Sequence, residues 1–224
     1  MTKISEIGNL KNGLNFNRGQ FGKGIRVVNV KQLYSGRYVD LKNLETIKTD
    51  DISNLKSYLL EEGDILFSRS SIMRSGAGKS AVVPKLNEET SFSGFVIRLR
   101  IKDKNKFDPL FLIYILSTPK YRKLFQQFST GTSISNVSQD LINSVEIEIP
   151  DIKIQKKLTH IINTFNNKIE LNKKTNQTLD EITKKLFKSW FINFDPVKAK
   201  TELKSTGLSK KISDLFPDSF EDSE

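Results

Sequence analysis

The sequence predicts an α+β fold, a mixed strand-and-helix domain over residues 1–150 followed by a long coiled-coil-forming helical region. Three observations carry this. Up to Pro150 the apolar residues come in short β-rich runs broken by glycine and proline. Between residues 153 and 192 there is neither proline nor glycine. Over that stretch the apolar period lengthens from alternation to spacings of three and four.

Gly22 and Gly24 precede Ile25-Arg26-Val27-Val28-Asn29-Val30, a run of high β propensity. Tyr58-Leu59-Leu60 leads into a turn at Glu61-Glu62-Gly63-Asp64, and Ile65-Leu66-Phe67 then reads as a buried strand. A glycine loop at 75–79 precedes Ser80-Ala81-Val82-Val83, which Pro84 stops. Phe95 to Arg100 alternates in part and sets Arg98 and Arg100 on one face. After Pro109, the run Leu110 to Leu116 predicts a buried helix ending near Thr118-Pro119, with a basic helix over 120–128 behind it. Val145-Glu146-Ile147-Glu148-Ile149 is an alternating strand closed by Pro150.

Beyond Pro150, Leu158, Ile162, Phe165, Ile169, Leu179, Ile182, Leu186 and Trp190 recur on one helical stripe, roughly 50 Å long at 1.5 Å per residue. Such a stripe requires a cover, either a second helix or another chain. Asn172 and Asn176 interrupt it, as a turn between two helices or as polar seam residues of one long helix. The absence of Gly and Pro favours the single helix. From Asp195-Pro196 onward few apolar side chains remain, so residues 197–224 read as a linker or weakly ordered tail, with Leu215, Phe216 and Phe220 able to pack back.

Composition narrows the function. The 224 residues carry 36 Lys and Arg against 26 Asp and Glu, a net charge of +10, with 37% hydrophobic residues. Residues 1–150 hold a net +7 of that excess, which suits a phosphate backbone and suits ordinary solubility equally. The absence of cysteine excludes disulfides, thiolate nucleophiles and cysteine-ligated zinc, and the single histidine, His160, supports no triad. The sequence shows no apolar run of membrane-spanning length and no signal-peptide pattern, so a cytoplasmic protein is expected.

Ser75-Gly76-Ala77-Gly78-Lys79-Ser80 imitates a nucleotide-binding loop but has Met73 where the first glycine belongs. Strand and Pro84 follow instead of a helix N-terminus. Read instead as a basic loop, the segment offers Arg69, Ser70, Arg74 and Lys79 as contacts to DNA phosphates or base edges. Lys23 and Arg26, on the glycine-flanked first strand, are further candidates. A second polar stretch, Ser129 to Gln139, has eight Ser, Thr, Asn or Gln side chains among eleven. It adds Thr132, Ser133, Asn136 and Gln139, the amides being able to pair bidentately with adenine. Its hydroxyls equally suit capping of a helix that begins at 138–141. The carboxylates Glu61-Glu62, Asp64, Glu88 and Glu89 sit in turns without a tuned acid–base partner, and Asp50-Asp51 has no partner at metal spacing.

Taken in order, six stretches resemble the specificity subunit of type I restriction-modification systems. They are GIRVVNVKQLYSG (24–36), GDILFSRS (63–70), GKSAVVP (78–84), GTSISNVSQDL (131–141), VEIEIPDIKIQKK (145–157) and LFKSWFINFDP (186–196). That resemblance implies a non-catalytic subunit with a DNA target-recognition domain over 1–150, a helical dimerisation and spacer region over 151–196, and a linker over 197–224. Members of the family usually have two such domains, each followed by a long helix, and the helices pair antiparallel. This sequence supplies one of each, as a natural half-length form or a fragment. The implied partners are double-stranded DNA, a modification subunit that methylates adenine with S-adenosylmethionine, a restriction subunit using ATP and Mg²⁺, and a second copy or companion half. No cofactor is implied in this chain. Leu158, Ile162, Phe165, Ile169, Leu179, Ile182 and Leu186 are the expected dimerisation residues. Gln155 is expected to be structural, near the junction of domain and helix. An alternative is an antirestriction decoy that binds the modification subunit through its helices. A nuclease acting alone is poorly supported.

Overall fold

The computed structural model describes residues 1–49, 52, 54–72, 74–129 and 135–220. The chain divides into two compact units, 1–161 and 162–224.

In the first unit, β1 (Thr2–Lys3) and a short helix α1 (Ile4–Ile7) lead into β2 (Gly8–Asn12). Next come β3 (Phe21–Val28), β4 (Glu45–Ile47), β5 (Ile65–Ser68), β6 (Ser70–Ser71), β7 (Ser80–Val82), β8 (Thr90–Phe92) and β9 (Val96–Ile101). They are followed by α2 (Pro109–Leu116), α3 (Pro119–Phe128), β10 (Ser135–Asn136), α4 (Gln139–Ser144) and β11 (Glu146–Ile147). The strands form small sheets: a four-stranded one in the order β2-β9-β5-β7, a three-stranded one in the order β4-β3-β8, and the pairs β1-β11 and β6-β10. β3 and β8 run parallel, whereas the other pairings are antiparallel.

β5 explains why the sheets cohere. Successive side chains of a strand point to opposite faces, and here both faces are covered. Ile65 and Phe67 enter a core with Ile4, Ile97, Leu99, Leu112 and Phe125. Leu66 points the other way, into a cluster with Val28, Leu33, Ala81 and Phe92. A continuous apolar triplet is what a doubly covered strand requires. β9 alternates instead. Ile97, Leu99 and Ile101 face the first core, and Arg98 and Arg100 share the other face as expected. Both donate to the Leu59 carbonyl, Arg98 at 3.0 Å and Arg100 at 2.8 Å. Arg100 also grips Asp64 with two donors, at 2.9 and 2.8 Å. That hydrogen-bonded pairing raises the Arg100 guanidinium above its ordinary value, and burial lowers Arg98. The arginine face of β9 therefore braces the 57–64 turn.

Two strand expectations change in extent. β3, expected to begin after Gly24, starts at Phe21 and takes in both Gly22 and Gly24; a side chain at Gly24 would collide with the Ile47 carbonyl on the neighbouring strand. Of 145–149 only Glu146–Ile147 pairs, since its partner β1 is two residues long.

α2 starts as its sequence demands, with Asp108 accepting from the Phe111 amide at 2.9 Å and Pro109 at the first helical position. Helix α5 (Ile152–Phe187) is 36 residues long, about 54 Å at 1.5 Å per residue. It runs unbroken through Asn172 and Asn176, as the single-helix reading requires. At its root Gln155 is fully buried. Its amide accepts from the Asp108 N–H and donates to the carbonyls of Lys106 and Pro150, each within 2.9 Å. One side chain thus ties the start of α2, the preceding loop and the start of α5, a structural role as expected.

In the second unit the helix passes through a wider π turn at Lys188–Ile192. α6 (Asp195–Thr201) and α7 (Lys210–Ser213) then form where the composition suggested weak order. Aromatic contacts supply the missing cohesion. Trp190 meets Phe216 edge-on at 5.5 Å and Phe194 meets Phe220 at 6.0 Å. Lys200 clasps the Phe216 carbonyl at 2.7 Å. Among the described residues no helix is long and apolar enough to cross a membrane.

Candidate nucleic-acid interface

Arg69 is the hinge of the polar surface that the sequence singled out. It lies between β5 and β6, and its backbone is held on both sides: its N–H donates to the Phe95 carbonyl at 2.9 Å, and its own carbonyl accepts from Val137 at 2.8 Å. The following residues pair with β10, Ser70 opposite Asn136 and Ser71 opposite Ser135. Ser70 Oγ donates to Asn136 Oδ1 at 2.6 Å, joining side chains 66 residues apart. Two of the polar stretches proposed from sequence thus meet as one short ladder.

A third segment closes the site. Tyr34 ends a 3₁₀ turn over Val30–Leu33, and its hydroxyl lies 3.3 Å from Ser71 Oγ. Lys79 Nζ sits over the Tyr34 ring, 4.8 Å from its centroid. Val30, Tyr34, Ser70, Ser71, Ile72 and Lys79 line an open cleft of about 570 Å³. The turn at 76–78 needs glycine. A side chain at Gly76 would collide with Ser71 Oγ and the Tyr34 hydroxyl. Gly78 has a positive φ of 62°, and a Cβ there would lie 2.6 Å from the Phe125 ring. Ser80 then opens β7, so the resemblance to a nucleotide-binding loop ends in a strand, not a helix N-terminus.

Arg122, on α3, supports this turn from behind. Its Nη2 donates to the carbonyls of Ser75 at 2.7 Å and Ala77 at 2.9 Å. Burial holds its guanidinium below the ordinary arginine value, and Tyr34 partly offsets that. Sequence reading missed Tyr34, Ile72 and Arg122. Tyr34 and Arg122 lie far in sequence from the segment they brace, and only the basic character of 120–128 hinted at the arginine.

The other candidates divide. Arg69 turns inward, with Nη1 donating to the Gly94 carbonyl at 3.2 Å. Gln139 begins α4, and Ser138 Oγ accepts from the Leu141 N–H at 3.1 Å, the capping role expected of that stretch. Lys23 and Arg26 are on β3 and do not line the cleft. Arg26 donates to the Leu41 carbonyl at 2.6 Å and faces Glu88 at 3.5 Å, while Lys23 is exposed. Arg74 opens a 3₁₀ turn, and only its backbone is described. Thr132, Ser133 and the pair Asp50-Asp51 lie outside the described residues. Among the described residues, no group of three His, Cys, Asp or Glu is placed to hold a metal ion.

Along α5 the predicted dimerisation residues Leu158, Ile162, Phe165, Ile169, Leu179, Ile182 and Leu186 are all exposed, Phe165 to 67%. Gln155 and Thr159 are the buried residues of that helix.

Residues 1–181 match the family model described as the type I restriction modification DNA specificity domain. The chain is 33% identical over 178 residues to the type I restriction enzyme HindI specificity subunit of Haemophilus influenzae, covering 74% of this chain and 37% of that protein. Its fold resembles a chain from a solved type I restriction-modification system, with a TM-score of 0.59, 14% identity, and coverage of 83% of this chain and 42% of that one. It also resembles the type I restriction-modification S subunit from M. genitalium, with a TM-score of 0.52, 15% identity, and coverage of 90% and 45%. The chain spans less than half the length of each of these relatives.

Proposed function

The chain belongs to the type I restriction-modification DNA specificity family, and from that premise we propose that it reads one half of a split double-stranded DNA target and catalyses nothing itself. The observation that carries this reading is the convergence of Ser70, Lys79 and Asn136 on a braced frame beside an open cleft. A lysine ammonium, hydroxyls and an amide are the groups that contact phosphates and base edges, and the +10 net charge draws a polyanion toward them. Arg69, Arg74, Gln139, Thr132, Ser133, Lys23 and Arg26 are secondary contacts in this reading.

Residues 1–150 are the reading domain and 151–196 the spacer. Two copies, or this chain and a companion half, pair along the α5 stripe of Leu158, Ile162, Phe165, Ile169, Leu179, Ile182 and Leu186. The pair sets the distance between half-sites. A modification subunit with S-adenosylmethionine methylates adenine, a restriction subunit with ATP and Mg²⁺ cuts, and the assembly works in the cytoplasm. The test is a domain exchange. Replacing residues 1–150 with the same domain of another family member is expected to move the methylated adenines to a new half-site in the host genome. An unchanged methylation pattern would refute the reading.

A further inference from the structure

Ile72 stands out beside the cleft. It is 86% exposed, directly after the β6-β10 ladder. A single exposed aliphatic residue is ordinary on a protein surface, but the setting of this one is not. The preceding residues are fixed by the two backbone bonds of Arg69, by the pairing with β10 and by the Tyr34–Ser71 contact. The turn beyond it is gripped by Arg122. Ile72 therefore follows directly on a held strand, as a readout side chain must. Its neighbours in the cleft wall are Tyr34, Ser70 and Lys79. Phe95 and Phe128 are also well exposed but do not line this cleft.

Resting on the DNA-reading function above, we propose that Ile72 is a specificity-determining residue that packs against the 5-methyl group of a thymine in the major groove. Thymine alone of the four bases carries a methyl on that edge, and small aliphatic contact is how proteins recognise it. The flanking groups suit the rest of the base pair and its phosphates: the Lys79 ammonium, oriented over Tyr34, and the Ser70–Asn136 pair. In the free chain Ile72 is hydrated, and the contact forms only on the correct base.

The experiment selects bound duplexes from a random library with the 224-residue chain, then replaces each thymine of the selected sequence singly by deoxyuridine, which lacks only that methyl. At one position the substitution is expected to weaken binding roughly four-fold, the ~0.8 kcal/mol of one buried methyl group. Ile72→Ala should bind the thymine duplex about as weakly as the wild type binds the uracil one, and should lose the difference between the two. Failure of the chain to select any duplex would sink the DNA-reading function and this contact with it. Tight, selective binding that no single uracil affects would sink the thymine contact alone. So would an Ile72→Ala variant that keeps the wild-type thymine preference. Melting of Ile72→Ala at the wild-type temperature separates a lost contact from a lost fold.

Discussion

β5 and α5 use their apolar residues in opposite ways. Ile65, Leu66 and Phe67 are each 0% exposed, covered on both faces by the chain's own helices and strands. On α5, Leu179, Ile182 and Leu186 are 54%, 47% and 43% exposed. The strand is stabilised by what the chain contains. A helix with an open apolar stripe draws its stability from whatever covers it. Burial thus separates apolar residues that the chain covers for itself from apolar residues that it leaves open.

The largest effect that would break this contrast concerns Phe67. It packs 6.2 Å from Phe125 in the first core, so Phe67→Ala is expected to cost about 3–5 kcal/mol. Urea unfolding followed by circular dichroism measures it. The companion variant Leu179→Ala, studied at a dilution where copies do not associate, should change stability by less than about 0.5 kcal/mol. Equal costs at the two sites would show that α5 is already covered within one chain.

Next in size is the effect of a charge on the stripe. If two copies pair along α5, Phe165→Asp places an unpaired carboxylate in the seam of both partners. Association should weaken at least a hundred-fold, equivalent to about 3 kcal/mol. In light scattering, the mass should fall from twice 25.6 kDa to 25.6 kDa. The thermal unfolding of the first unit should not move. A wild-type chain that is monomeric at every concentration would remove the pairing from the proposal.

The same contrast explains how much was legible in advance. Local pattern found the β5 triplet, the arginine face of β9, the start of α2 and the unbroken α5, because each is written within one segment, as a continuous apolar run, an alternation, a proline or spacings of three and four. The polar candidates Ser70, Lys79 and Asn136 could be picked by side-chain chemistry. What joins them could not: β6 and β10 are two residues each, and their pairing spans 66 positions. Tyr34 and Arg122 were invisible for the same reason, since a brace is defined by a carbonyl or a ring elsewhere in the chain. The order beyond Pro196 rests on Trp190 and Phe194 meeting Phe216 and Phe220, whereas local composition there is that of a linker.

The smallest effect sharpens the contrast inside the first unit, by asking whether the cleft faces outward in function as it does in geometry. The Lys79 ammonium sits over the Tyr34 ring, a contact of about 0.5–1 kcal/mol at an exposed site. Lys79→Met keeps most of the length of the side chain and removes its charge, so stability should fall by no more than that. If the ammonium contacts a phosphate, its loss removes one counterion-releasing contact. The slope of log binding constant against log salt should then become shallower by about 1, and affinity should drop evenly across sequences. An unchanged slope with a changed sequence preference would instead make Lys79 a base-reading residue, since a bond to guanine N7 or O6 depends on which base is present. A change in neither would return Lys79 to the structural side of the comparison, as a brace for Tyr34 no different in kind from Arg122.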